Sequence, residues 1–79
     1  MKLNEAVSKR LAELLNEREM TAYQLYMRSG VPKSTIGNLL NCTYPSMTLR
    51  VIHELCQGLE TDLTEFFASP LFKEINLEP

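Results

Sequence analysis

Seventy-nine residues, 44% apolar and 23% charged, suit one small soluble domain and leave no room for two. No run of about 18 apolar residues offers a membrane span, no basic-then-apolar start offers an export signal, and Cys42 and Cys56 are too few for a disulfide scaffold and lack metal-ligand spacing. The net charge of -2 and pI of about 5.3, taken whole, argue mildly against a nucleic-acid partner.

In chain order, Leu3, Val7, Leu11, Leu14 and Leu15 recur at helical spacing, with charged residues on the other face, and predict a first helix over 4–17. Thr21 and Gln24 form a capping-box pair, and Met20 and Leu25 stand at the staple positions around it, so a second helix starts at 21. Ser29-Gly30 supplies a left-handed stop, and Pro32 pushes Val31 out of helical geometry. A third helix is expected over 32–40, with Pro32 in its first turn and Ile36 with Leu39 or Leu40 buried. After a polar loop, Thr48 or Ser46 caps a fourth helix with the stripe Leu49, Ile52, Leu55, Cys56 and Leu59. Asp62 and Glu65 offer a second capping box for a fifth helix ending near Ala68. Ser69-Pro70 then opens either a very short sixth helix, with Leu71, Phe72 and Ile75 on one side, or an irregular tail. No stretch alternates as a strand does. The fold class is therefore all-α, a compact bundle of four to five short helices, with a domain over 1–68 and a tail over 69–79.

Charge is distributed unevenly. Residues 1–40 carry six cations and four acids, whereas 41–79 carry two cations and six acids. From Met20 to His53 there is no Asp or Glu, while Arg28, Lys33 and Arg50 are present. A phosphate backbone would meet no like charge there.

Two short helices joined by a tight glycine-containing turn, the second with a small polar face, describe a helix-turn-helix over 21–40. The first such helix crosses a DNA backbone and the second enters the major groove. The run T-A-Y-Q-L-Y-M-R-S-G-V-P-K-S-T-I-G-N-L-L-N from Thr21, followed by L-x-x-I-x-x-L from Leu49 and D-L-T-E-F-F from Asp62, resembles the phage-repressor-like (Cro/CI, Xre) helix-turn-helix domain across 3–68. The family's apolar positions are filled by Leu25, Ile36, Leu39, Leu49, Ile52, Leu55, Leu59 and Leu63, and its turn glycine by Gly30. The resemblance also marks departures. Tyr26 stands where relatives have Ala, so it must tilt outward or open the packing. Cys42 stands where they have Gly, so the left-handed turn falls to Asn41 or is lost. Leu15 and Leu40 replace an Arg–acid pair and could pack together. Gly37 weakens helix propensity but would permit close approach to DNA.

Side-chain chemistry assigns base contacts to Lys33, Ser34, Thr35 and Asn38: donation to guanine, either-way bonding, and bidentate reading of adenine. Phosphate contacts are expected from Thr21 and the open N–H groups beside it, with Tyr23 and Arg28, and from Asn41, Thr43 and Tyr44 in the following loop; Arg10 is a longer-range candidate. His53 and Cys56 read as boundary and core residues, and Cys42 as an oxidisable thiol with no demonstrated activation. The chain should need no cofactor and no metal, and no nucleophile or phosphate-binding loop suggests an enzyme. An acidic carrier protein is excluded because no Asp-Ser pair is present.

Phe67, Leu71, Phe72 and Ile75 crowd the C-terminus beyond what a small monomer readily buries, and predict a homodimer interface, unless the tail folds back on its own domain. The resemblance implies a cytoplasmic bacterial or phage regulator of transcription, a stand-alone repressor on double-stranded DNA with a palindromic operator. The rival reading is a protein-interaction module such as the antitoxin of a toxin–antitoxin pair, suggested by the acidic second half and apolar tail.

Overall fold

The computed structural model describes residues 1–43 and 47–79. Its elements are α1 (Leu3–Glu17), α2 (Ala22–Ser29), α3 (Lys33–Leu40), α4 (Leu49–Gly58) and α5 (Leu63–Phe67), then two 3₁₀ turns, Pro70–Phe72 and Glu74–Asn76. Among the described residues there is no strand, and the all-α bundle expected from the spacing is what forms.

Side chains start the helices. The Thr21 N–H donates to Gln24 Oε1 at 2.9 Å and the Gln24 N–H donates to Thr21 Oγ1 at 3.1 Å, so the first capping box is complete. Thr48 caps α4, accepting from the Val51 N–H at 3.2 Å; Ser46, the other candidate, lies outside the described residues. Asp62 accepts from the Glu65 N–H at 2.7 Å, but the second capping box is only half made. The Glu65 carboxylate turns instead to the Thr61 hydroxyl at 2.7 Å and to Arg18 at 3.4 Å. Pro32 is the cap of α3, with an extended ψ of 143°, rather than its first helical residue. Ser69 accepts from the Leu71 N–H at 3.2 Å, and Pro70 opens a single 3₁₀ turn where a short helix was one option.

Backbone geometry ends them. Gly30, at φ 75°, stops α2 as expected, its N–H donating to the Tyr26 carbonyl at 3.0 Å. Three other helices end on left-handed residues that are not glycine: Glu19, Cys42 and Glu60, at φ 49°, 58° and 58°. Each belongs to a Schellman motif. Glu19 donates to Asn16 and Met20 to Leu15; Cys42 donates to Leu39 and Thr43 to Asn38; Glu60 donates to Gln57 and Thr61 to Cys56. The turn after α3 is thus kept, and Cys42 itself carries it; Asn41 stays right-handed at φ -87°.

The core joins α1 (Val7, Leu11, Leu14, Leu15) to Leu25, Val31, Ile36 and Leu39 of the α2–α3 unit, and to Ile52, Leu55, Cys56, Leu59 and Phe66 beyond it. Burial raises the Cys56 thiol above its ordinary pKa, helped by the nearby Asp62 charge, so this cysteine stays protonated and inert. Two expected core positions are exposed: Leu3 and Leu49, the latter 67% open. Both are the first residues of their helices, on an open apolar groove with Val7, Met47, Ile52 and Phe67. Leu63 is only half-buried.

Helices α2 and α4 cross closely at Gly58. A Cβ there would sit 2.8 Å from Ser29 Cβ and 3.0 Å from the Ser29 backbone nitrogen. The tail folds back. Phe72 stacks edge-on to Phe67 at 4.8 Å, the N-terminal ammonium donates to the Asn76 carbonyl at 2.9 Å, and the Glu78 N–H donates to the Met1 carbonyl at 2.8 Å. Ile75 does not share the side of Leu71 and Phe72; it is 90% exposed, while they are half-buried.

Candidate nucleic-acid interface

The α2–α3 unit is set by its two stops. Gly30 turns the chain sharply, Val31 plugs the core, and Pro32, its φ held by the ring and its ψ extended, leads into α3. Ile36 and Leu39 then face the core. Because successive helical residues are rotated by about 100°, Lys33 and Ser34 are left exposed, with Thr35, Gly37 and Asn38 half-buried along the same outer side. A Cβ added at Gly37 would meet nothing within 4 Å, so the middle of this surface is open.

Lys33 is not a loose cation. Its Nζ lies 5.3 Å from the Tyr23 ring centroid and 5.8 Å from that of Tyr26. The two rings are themselves 6.0 Å apart and tilted. Tyr26 has therefore accommodated the tight α2–α3 approach by leaning out to a half-buried position beside Tyr23, under the start of α3. Tyr23 stays 56% exposed.

Thr21 and Tyr23 stand at the opening of α2, where one N–H is taken by Thr21 Oγ1 and the first-turn N–H groups point outward. Arg28 is exposed in the last turn of the same helix. Beyond α3, Asn41 is exposed and Thr43 is turned back onto α3, its hydroxyl donating to Asn38 Oδ1 at 3.0 Å. Tyr44 lies outside the described residues. The structure thus brings Lys33, Ser34, Thr35 and Asn38 onto one helix, with Asn41 and Thr43 at its far end and Tyr23 at its near end.

Arg10 does not belong with them. Its guanidinium donates to the Phe66 and Glu65 carbonyls, each at 2.7 Å, and lies 3.5 Å from Glu13. It closes the C-terminus of α5, where a cation complements the helix dipole. Arg18 does likewise for α4, donating to the Leu59 carbonyl at 2.7 Å. The sequence signals these roles only through the absence of a basic residue in the last turns of α4 and α5.

The tail residues expected at a dimer interface are divided. Phe67, Leu71 and Phe72 are half-buried, the phenylalanines within an aromatic cluster around buried Phe66, whereas Ile75 is open to solvent. His53 is exposed on α4. Among the described residues, no three His, Cys, Asp or Glu side chains gather as metal ligands, and no helix is long and apolar enough to cross a membrane.

The Cro/C1-type HTH DNA-binding domain profile matches residues 10–69. Solved structures of similar fold include the following two. One is the wild-type restriction-modification controller protein C.Esp1396I, with a TM-score of 0.78 at 22% identity, covering 85% of this chain and 87% of that one. The other is the prophage Lp1 protein 11, with a TM-score of 0.80 at 27% identity, covering 94% and 99%. No curated protein sequence matches the chain.

Proposed function

Because the chain belongs to the Cro/C1-type helix-turn-helix DNA-binding family, we propose that it is a sequence-specific transcriptional repressor that reads the major groove of double-stranded DNA with α3. The observation that carries this reading is the outer side of α3. Its donors and acceptors follow a tight glycine turn, inside a segment from Met20 to His53 that has no acidic residue. Lys33 at the start of α3 has its ammonium held over two tyrosines, so it reaches a base edge with less freedom to lose. Ser34 and Thr35 supply short bonds to bases, Asn38 a bidentate amide. Thr21, Tyr23, Arg28 and Asn41, all exposed, supply the contacts to phosphate that position this row.

The protein acts as a homodimer on a palindromic operator, because one α3 spans only a few base pairs and a two-fold pair reads two half-sites a helical turn apart. Exposed Ile75, the half-buried tail residues and the open groove at Leu3 and Leu49 offer apolar surface for the pairing.

The test is selection of binding sites from random duplex DNA, with the bound species sized by sedimentation. The expected result is a palindromic motif bound by two chains. Recovery of no motif would overturn sequence-specific reading, and a lone chain on a single half-site would overturn the dimer.

A further inference from the structure

We infer that Thr43, in the loop beyond α3, is a positioning residue that fixes the orientation of the Asn38 amide and so sets which base that amide accepts. This rests on the reading of α3 as the base-reading helix.

The geometry begins with Cys42. Its left-handed backbone, at φ 58°, reverses the chain so that the Thr43 N–H donates to the Asn38 carbonyl at 2.9 Å. That bond satisfies the backbone oxygen. The Thr43 hydroxyl is 3.2 Å from the same oxygen and 3.0 Å from Asn38 Oδ1. With the backbone oxygen already served, the single hydroxyl proton is best used at Oδ1, the nearer acceptor. Residue 43 therefore holds residue 38 at both its main chain and its side chain.

The consequence concerns information as well as contact. An unheld asparagine can rotate its amide half a turn about the last side-chain bond, at little cost, and exchange its donor for its acceptor. Such a side chain offers a base edge two hydrogen-bond patterns. A hydroxyl donating to Oδ1 favours one of them: the flipped amide would have to donate to Thr43 Oγ1, and the hydroxyl proton would then have to turn to the Asn38 carbonyl, which is farther, at 3.2 Å, and already accepts from the Thr43 N–H. In the favoured arrangement the two Nδ2 hydrogens and one Oδ1 lone pair remain for the base. Thr43 then sharpens discrimination at one base pair through Asn38.

The experiment compares Asn38→Ala, Thr43→Val, Thr43→Ser and the double variant Asn38→Ala/Thr43→Val. Each binds the selected operator, all single-base variants of it, and random duplex, with thermal unfolding run in parallel. Asn38→Ala should flatten the preference at one base pair of each half-site. Thr43→Val, which keeps the branched shape, should relax preference at that same pair by roughly 2- to 10-fold. It should leave the unfolding midpoint unchanged. Thr43→Ser should restore the preference, and Thr43→Val should add nothing in the Asn38→Ala background.

A uniform loss of affinity on every sequence would make Thr43 a phosphate contact and overturn the inference. So would an effect at another base pair, or one additive with Asn38→Ala. If Asn38→Ala acts and Thr43→Val is silent, the inference alone falls. If Asn38→Ala changes no preference, the reading of Asn38 falls, and the role of Thr43 falls with it.

Discussion

Arginines at two regions of this small molecule have opposite surroundings. At the end built from α1, α4, α5 and the tail, Arg10 and Arg18 reach the carbonyls that close α5 and α4, and lie 3.4–3.7 Å from Glu13, Glu17 or Glu65. Along α2 and α3, Arg28 and Lys33 are exposed, with no acidic residue from Met20 to His53. Cations in the first region hold the fold; those in the second remain available to an outside anion. The overall charge of -2 averages two regions that differ in sign and in use. A protein can thus be acidic as a whole and still offer phosphate two helices that carry no acid.

The contrast is broken if substitutions at the holding end alter DNA recognition directly, or if those on the reading side unfold the protein. The largest effect is expected at Phe66, the largest fully buried side chain, packed 5.0 Å from Phe67 and 6.1 Å from Phe72. Phe66→Ala should cost about 3–5 kcal/mol in urea unfolding. The fraction still folded should keep the wild-type base preferences. Next is Gly58→Ala. Alanine favours a helix, but its methyl would press the Ser29 backbone, which cannot rotate away. Overpacking should win, at about 1–3 kcal/mol, seen as a lower unfolding midpoint.

A smaller change of opposite sign is expected on the reading side. Cys42→Gly relieves a left-handed cysteine and should raise stability by about 1 kcal/mol in the same assay, with the Thr43 bond to Asn38 retained. The smallest effect is a pH dependence at the holding end. The Thr61 hydroxyl, and then Arg18, hold the Glu65 carboxyl below its ordinary pKa. A lowered folded-state pKa gives stability that is present above the ordinary glutamate range and lost as pH falls through the folded value. The stability difference between wild type and Glu65→Gln should therefore shrink on acidification. A difference that grows would contradict the assignment.

Helix starts were more legible in the sequence than helix stops, for a physical reason. A start is signalled by a side chain that must reach forward to accept from a free N–H, and Thr21, Thr48, Asp62 and Ser69 all do so. A stop is made by backbone conformation, which sequence reveals only when glycine is used. Gly30 was readable; Glu19, Cys42 and Glu60 were not, since packing imposes on them a conformation their side chains disfavour. Leu3 and Leu49 misled because periodicity identifies a side of a helix, not how far the neighbouring helices reach along it. The polar row on α3 was legible from spacing alone. The Thr43–Asn38 bond was not, because it depends on the left-handed turn at Cys42. Arg10 and Arg18 were opaque for a related reason: their acceptors lie 41–56 residues away in sequence.

The central claim is that the acid-free side of α2 and α3 binds the DNA backbone. Operator affinity measured by fluorescence anisotropy between about 50 and 200 mM salt tests it most directly, for wild type, Arg28→Ala and Glu74→Gln. The logarithm of affinity should fall linearly with the logarithm of salt. Arg28→Ala should make the slope shallower by about 0.9, one phosphate contact, and Glu74→Gln in the tail should leave the slope unchanged. A slope indifferent to Arg28 but altered by Glu74 would contradict the account.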